Sequence, residues 1–197
     1  SNVESKWQRA QPWVVCFSAS LFFFYTFMQL NMFNALEAAI IPAFHLTAEQ
    51  YGYLSACQVY ANILFLFPAG MLLDRYSTRR LLLIVMAGSA IATYLFAHAQ
   101  VYWQVEMLRL LMGVFSAFGL ITPVRLATRW FPAKRMALVV GLIVTFAMIG
   151  GMVAQTPFMY LIDHVGWRQT LMIDAGVGLL LLIPMLLFVR DQPRAGT

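Results

Sequence analysis

The sequence predicts an all-α membrane protein of six transmembrane helices, and three observations carry that prediction. Hydrophobic residues make up 61% of the chain, charged residues 11%, and the mean hydropathy is +0.75. A soluble domain carries roughly a quarter charged residues and about half apolar ones, so this chain cannot surround an apolar core with a polar skin. The apolar residues fall into six runs of about twenty residues or more, each long enough to cross a hydrocarbon layer as a helix. The basic residues occupy the short connections and alternate in their distribution. Lys6 and Arg9; Arg75, Arg79 and Arg80; Arg125, Arg129, Lys134 and Arg135; and Arg190 and Arg194 share one side when six helices alternate, against Arg168 alone on the other. The positive-inside rule then puts both termini in the cytoplasm. A wrong number of helices would scramble this asymmetry.

The elements follow in order, with boundaries set by charge, proline and capping residues. Residues 1–11 are polar and form an expected cytoplasmic N-terminal segment ahead of Pro12. A membrane domain over about 12–190 contains spans at about 13–36, 48–73, 78–97, 102–125, 136–162 and 167–189. A polar cytoplasmic tail is expected over 191–197. The far half of the first span carries Gln29, Asn31, Asn34 and Glu37, and a loop follows near 39–47. Thr47-Ala-Glu-Gln50 has the spacing of a capping box that opens the second span. The fifth span carries Ala147-x-x-x-Gly151 and Gly150-x-x-x-Ala154, a small-residue face that lets helix backbones approach, with a partner half as one expected neighbour. The first apolar run, about 24 residues long and without a small-residue cleavage site, reads as a retained helix and not a signal peptide. The opening Ser-Asn lacks an initiating Met, as expected of a processed, tagged or excised chain.

Several function classes drop out. The net charge of +5 is dispersed through loops and forms no nucleic-acid-binding face. Cys16 and Cys57 each lie inside an apolar run and read as small buried residues, not a disulfide or metal pair. No zinc-ligand spacing, phosphate loop, Gly-x-Ser-x-Gly or His-Glu-x-x-His occurs, so no enzyme, metal or cofactor is expected.

Charged and polar residues at membrane depth are the candidates for function. Arg109, inside the fourth span, costs roughly 2.5–3.5 kcal/mol on insertion scales and belongs in the protein interior or a wet cavity. Two readings stand: a local pair with Glu106 three residues earlier or snorkelling to the surface, and a cavity charge that binds an anion or modulates a proton-carrying carboxylate. Glu37, Glu106, Arg109 and Asp174 all fall in the outer half of the membrane when the helices alternate, and a carboxylate there can exchange protons during a transport cycle. Gln29, Asn31, Asn34, Asn62 and Gln155 are either interhelical hydrogen-bonding groups or substrate-path residues.

The connection Gly70-x-x-x-Asp74-Arg75-x-x-x-Arg79-Arg80 is the densest charge cluster in the first half of the chain. It resembles the signature between helices 2 and 3 of the major facilitator superfamily of transporters, with Ser77 where the family usually has Gly. Arg109-x-x-x-Gly113 is similar to the family's helix-4 motif, which is linked with proton coupling in several subfamilies. Trp130-Phe-Pro132-x-x-Arg135 and Gly166-Trp-Arg168 fit in the same order. Pro157 does not follow a glycine, so the helix-5 signature of drug/proton antiporters is absent.

The resemblance implies the N-terminal half of such a transporter: a 3+3 inverted-repeat bundle in a bacterial inner (plasma) membrane. Gly70, Asp74, Arg75, Arg79 and Arg80 would form a conformational latch on the cytoplasmic side. The implied activity is alternating-access secondary transport of a small organic solute, with proton coupling (symport) through Arg109 and its carboxylate neighbours. The implied partners are that solute, protons, the lipid bilayer, and a C-terminal six-helix half or a second copy of this chain. The rival reading is a non-transporting six-helix scaffold or a self-associating half-transporter.

Overall fold

Helix α1 runs Asn2–Ala35, α2 Glu37–Ala43, α3 Ala48–Arg75, α4 Thr78–Ala97, α5 Tyr102–Ser116, α6 Phe118–Trp130, α7 Met136–Val165 and α8 Trp167–Phe188. These are the elements of a computed structural model that describes residues 2–192. Ser1 and residues 193–197, including Arg194 and most of the expected tail, lie outside the described residues. Among the described residues, six helical segments are long and apolar enough to cross a membrane: α1, α3, α4, α5 with α6, α7 with the short 3₁₀ turn before it, and α8.

The boundaries differ from expectation in instructive places. The helix that carries the first span begins well before residue 13: the polar segment is already helical from Asn2, and the helix continues through Pro12. Glu4 in its first turn complements the positive end of the helix dipole. The expected loop near 39–47 is largely the helix α2, separated from α1 only by Leu36, which keeps helical dihedral angles. The helix of the fourth span continues past residue 125 to Trp130 and is interrupted at Ala117. Pro123 lacks the amide that would bond back to Gly119, a loss that lies downstream of the irregularity at Ala117 itself. The Ala117 amide there is shared between Gly113 O at 3.2 Å and Val114 O at 3.3 Å.

Local chemistry sets the turns. Thr47 Oγ1 accepts from the Gln50 amide at 3.1 Å while Gln50 Oε1 accepts from the Thr47 amide at 2.9 Å, so both halves of the capping box are made. Two residues, Tyr76 and Ser77, separate α3 from α4. Ser77 accepts from the Arg80 amide at 3.3 Å as the cap of α4, with φ at −57°, a conformation that makes no demand for glycine. Gly166 between α7 and α8 does meet such a demand, at φ +85°.

Packing places α1 against α7, α6 and α8, α4 against α8, and α3 against α5. The small-residue face of α7 closes on α1 and is not offered to a partner half: Ala147, Gly150, Gly151 and Ala154 are all buried. A Cβ on Gly151 would lie 2.6 Å from Asn31 Nδ2. Gly113 plays the same part between α5 and α3, where an added Cβ would lie 2.7 Å from that of Ala61 and collide with the Gln58 carbonyl. That close crossing decides what Arg109, one turn away, can reach.

Candidate functional site

Arg109 is 1% exposed, so it does not snorkel. Its Nε donates to Leu54 O at 3.2 Å and its Nη1 donates to Gln58 Oε1, both on α3. The guanidinium carbon lies 3.7 Å from the centre of the Phe33 ring, a cation–π contact. Phe33 is in turn stacked on Tyr51, whose hydroxyl donates to the Phe33 carbonyl. Arg109 Nη2 has no partner among the described residues. The local pair with Glu106 is not formed; the nearest polar contact of Glu106 is the Tyr53 hydroxyl at 3.4 Å. Arg109 is therefore a buried cation held by carbonyl oxygens and an aromatic face, with no carboxylate in ion-pair contact among the described residues.

Asp174 on α8 is fully buried. Its Oδ2 accepts from Gln29 Nε2 on α1, and its Oδ1 has no partner among the described residues. Gln29 Oε1 accepts from Thr93 Oγ1 on α4 at 3.4 Å, and the Tyr25 hydroxyl donates to the Asp174 carbonyl at 3.1 Å. A void of about 10 Å³, the size of one water, is bordered by Gln29, Thr93, Phe33 and Arg109. Arg109 and Gln29, the residue that holds Asp174, thus border one small void whose remaining walls, Met32, Leu36, Phe96, Met112 and Leu171 among them, are largely apolar.

Glu37 and Glu106 do not join them. Glu37 is exposed and lines an open groove of about 540 Å³ with Asn34 and Gln155, between the α1–α2 junction and α7. The five polar substrate-path candidates separate accordingly. Asn34 and Gln155 face that groove, and Gln29 is committed to Asp174. Asn31 donates to Phe27 O at 2.9 Å and packs on Gly151. Asn62 borders a different cavity of about 190 Å³, with Phe23, Thr26, Phe27, Leu30, Gln58, Val59 and Ser116 around it. Asn62 Nδ2 donates to Ser116 Oγ at 2.8 Å, and Ser116 donates to Gly113 O at 2.8 Å. Gln58, Thr26 and Ser116 were not singled out by sequence, because one polar residue in an apolar run carries no sign of the face it occupies.

The charged loop lies at one end of the bundle. Asp74 Oδ1 and Arg125 Nη2 are 2.7 Å apart, and Arg125 Nη1 donates to Leu73 O at 3.2 Å, so the partner of Asp74 within this bundle is on α6. Arg79 Nε and Nη2 donate to Val189 O at 3.0 Å and Leu186 O at 2.9 Å, the free carbonyls at the end of α8. Asp191 was expected in a loose tail; instead its carboxylate accepts from Ser77 Oγ and from the Arg79 amide at 2.8 Å, and Arg129 Nη1 is 3.8 Å away. Arg75 and Arg80 are exposed, and a side chain added at Gly70 would touch nothing. At the opposite end Arg168 donates to Ala97 O at 2.8 Å, the last residue of α4.

Comparison with known proteins gives this geometry a family. The profile of the Major Facilitator Superfamily matches residues 17–197. The nitrate/nitrite transporter NrtP of Picosynechococcus sp. is 32% identical over 112 residues, covering 57% of this chain and 21% of that protein. The multidrug resistance protein MdtG of Salmonella choleraesuis is 27% identical over 206 residues, covering 98% of this chain and 47% of that protein. A crystal structure of a bacterial homolog to the human lysosomal transporter Spinster, inward-facing and unoccupied, superposes with a TM-score of 0.80 at 20% identity, covering 94% of this chain and 44% of that one. The chain accordingly spans about half or less of the length of these relatives. It is an integral, multi-pass membrane protein, and it belongs to the Major Facilitator Superfamily.

Proposed function

We propose that this chain is one six-helix half of a secondary transporter that moves a small organic solute by alternating access, coupled to protons. The observation that supports the reading is the small void between Arg109 and Gln29, the partner of Asp174, on a helix pair that also borders a cavity of mixed polar and apolar lining. A cation without a carboxylate partner and a buried carboxylate with one free oxygen are both expensive at membrane depth, and such groups mark ion and proton pathways. Asp174 is the proton carrier in this reading, and Arg109 biases its protonation across the void. Glu37 and Glu106, open to solvent and away from the void, become the weaker candidates. The second half, a further six helices or a second copy, closes the solute path near the membrane midplane. The latch, Asp74 and Arg75 with Gly70, Arg79 and Arg80, lies on the cytoplasmic side of a bacterial inner membrane, as do both ends of the chain.

The test is solute flux in liposomes containing the complete transporter, with and without an imposed pH gradient. Wild-type flux is expected to respond to the gradient. Asp174→Asn keeps a side-chain oxygen for Gln29, and it is expected to retain solute exchange but lose the response to pH. Arg109→Ala is expected to uncouple as well. Coupling that survives in both variants overturns the proton role, and the absence of any flux favours the scaffold.

A further inference from the structure

We propose that Gln58 is the residue through which the 190 Å³ cavity recognises its solute, and that the solute is a small organic anion with an apolar body. The inference rests on the transporter reading and adds to it a substrate class and a recognising atom. Gln58 is 5% exposed and sits between two environments, with Arg109 behind it and the cavity before it. A guanidinium only donates, so the glutamine must turn its oxygen to Arg109 and its NH₂ away. That NH₂ makes no hydrogen bond among the described residues, whereas the other donor groups of the same wall are at least partly committed: Asn62 gives one of its two N–H groups to Ser116, Ser116 bonds Gly113 O, and Thr26 bonds Phe22 O. The wall therefore offers the solute one donor group with both hydrogens uncommitted, oriented by a cation.

Charge decides the sign. No acidic or basic side chain lines this cavity, so the nearest formal charge communicated to it is that of Arg109, through Gln58. A hydrogen bond to a charged group polarises the amide, and the surrounding low dielectric weakens screening, so an acceptor bearing negative charge is favoured at the NH₂. Phe23, Phe27, Leu30 and Val59 supply the apolar part of the lining and suit an apolar body. A cavity this small is a half-site: pockets for organic ligands run to roughly 300–1,000 Å³, and the opposite half would supply the remainder.

Thermal melting of the complete transporter in detergent, with added ligand, tests this without requiring transport. The probes are benzoate and hexanoate, each against an amine of the same carbon skeleton, benzylammonium and hexylammonium. Both carboxylates are expected to raise the Tm of the wild type and neither ammonium to do so, since a ligand bound to the folded state stabilises it by mass action. Gln58→Glu gives Arg109 a carboxylate partner but removes the donor, and the half-saturating concentration of benzoate is expected to rise at least tenfold. Carboxylates that fail to stabilise the wild type, ammonium ions that stabilise it equally, or a twofold or smaller change in Gln58→Glu each overturn the proposal. The wild-type comparison stands even where the variant fails to fold. Counterflow in liposomes separates the two levels of inference. Gln58-dependent carboxylate binding without flux would remove the transport reading alone, and flux of a solute indifferent to Gln58 would remove this one alone.

Discussion

Asp74 is the residue whose energetics are easiest to weigh. Its side chain is 68% exposed, and an exposed ion pair such as that with Arg125 is worth about 0–1 kcal/mol. The carboxylate also sits at the C-terminal end of α3, where the helix dipole opposes it by a few tenths of a kcal/mol or more. The two effects nearly cancel, so the pair does little to hold the fold. Asp74→Asn is therefore expected to shift unfolding by less than about 1 kcal/mol while changing the solute flux. A melt of the variant beside a liposome assay checks this; a large fall in Tm with unchanged flux would make Asp74 a staple and not part of a latch. Arg109 was legible from sequence because an arginine within an apolar span is anomalous on its face. Gln58 was not, since its importance comes from facing Arg109, a relation between two helices that no single run of residues carries.

At the scale of elements, the six spans were readable because hydrophobicity over twenty residues is a long, redundant signal. Their ends were less so: the helix over residues 2–11 lies where polarity rises without a breaker, and α2 is a short apolar helix that carries Pro42 in its last turn. The small residues of α7 announced a close crossing, but their spacing cannot name the neighbour, which proved to be α1. Gly113 shows what such a crossing achieves. It brings α5 near enough to α3 for Arg109 to reach Leu54 O and Gln58 Oε1. Gly113→Ala forces the helices apart and is expected to cost about 1–3 kcal/mol from overpacking, with a further penalty as Arg109 loses acceptors. Gly52→Ala, on the same helix α3 with nothing within reach of its new methyl group, is the control and is expected to be neutral or stabilising by up to about 1 kcal/mol. Paired melts measure both, and equal effects would mean that helix propensity, not the crossing, governs Gly113.

For the whole molecule, the decisive limit is what one bundle can enclose. The cavity beside Gln58 and the groove beside Glu37 are both open, and the Spinster homolog that superposes on this chain is more than twice its length, with 44% of it covered. Leu64 and Phe67 on α3 are 78% and 77% exposed, and Met152 on α7 is 75% exposed, apolar surface suited to lipid or to a second bundle. Alternating access needs two bodies that rock about a shared site, because a single bundle has no second wall against which to close. The transporting species is accordingly expected to contain two six-helix halves, either within one longer polypeptide or as two copies. Its protein mass in detergent should be roughly twice the 22.3 kDa of this chain or more. Native mass spectrometry of the transport-competent preparation reads this directly. Solute flux from a species of 22.3 kDa would sink the rocking mechanism, because the cavity beside Gln58 would then have to open and close within one bundle. A doubled mass that persists when Arg75 or Arg80 is neutralised would place the cohesion of the halves in their apolar faces and leave the charged loop free to act as a latch.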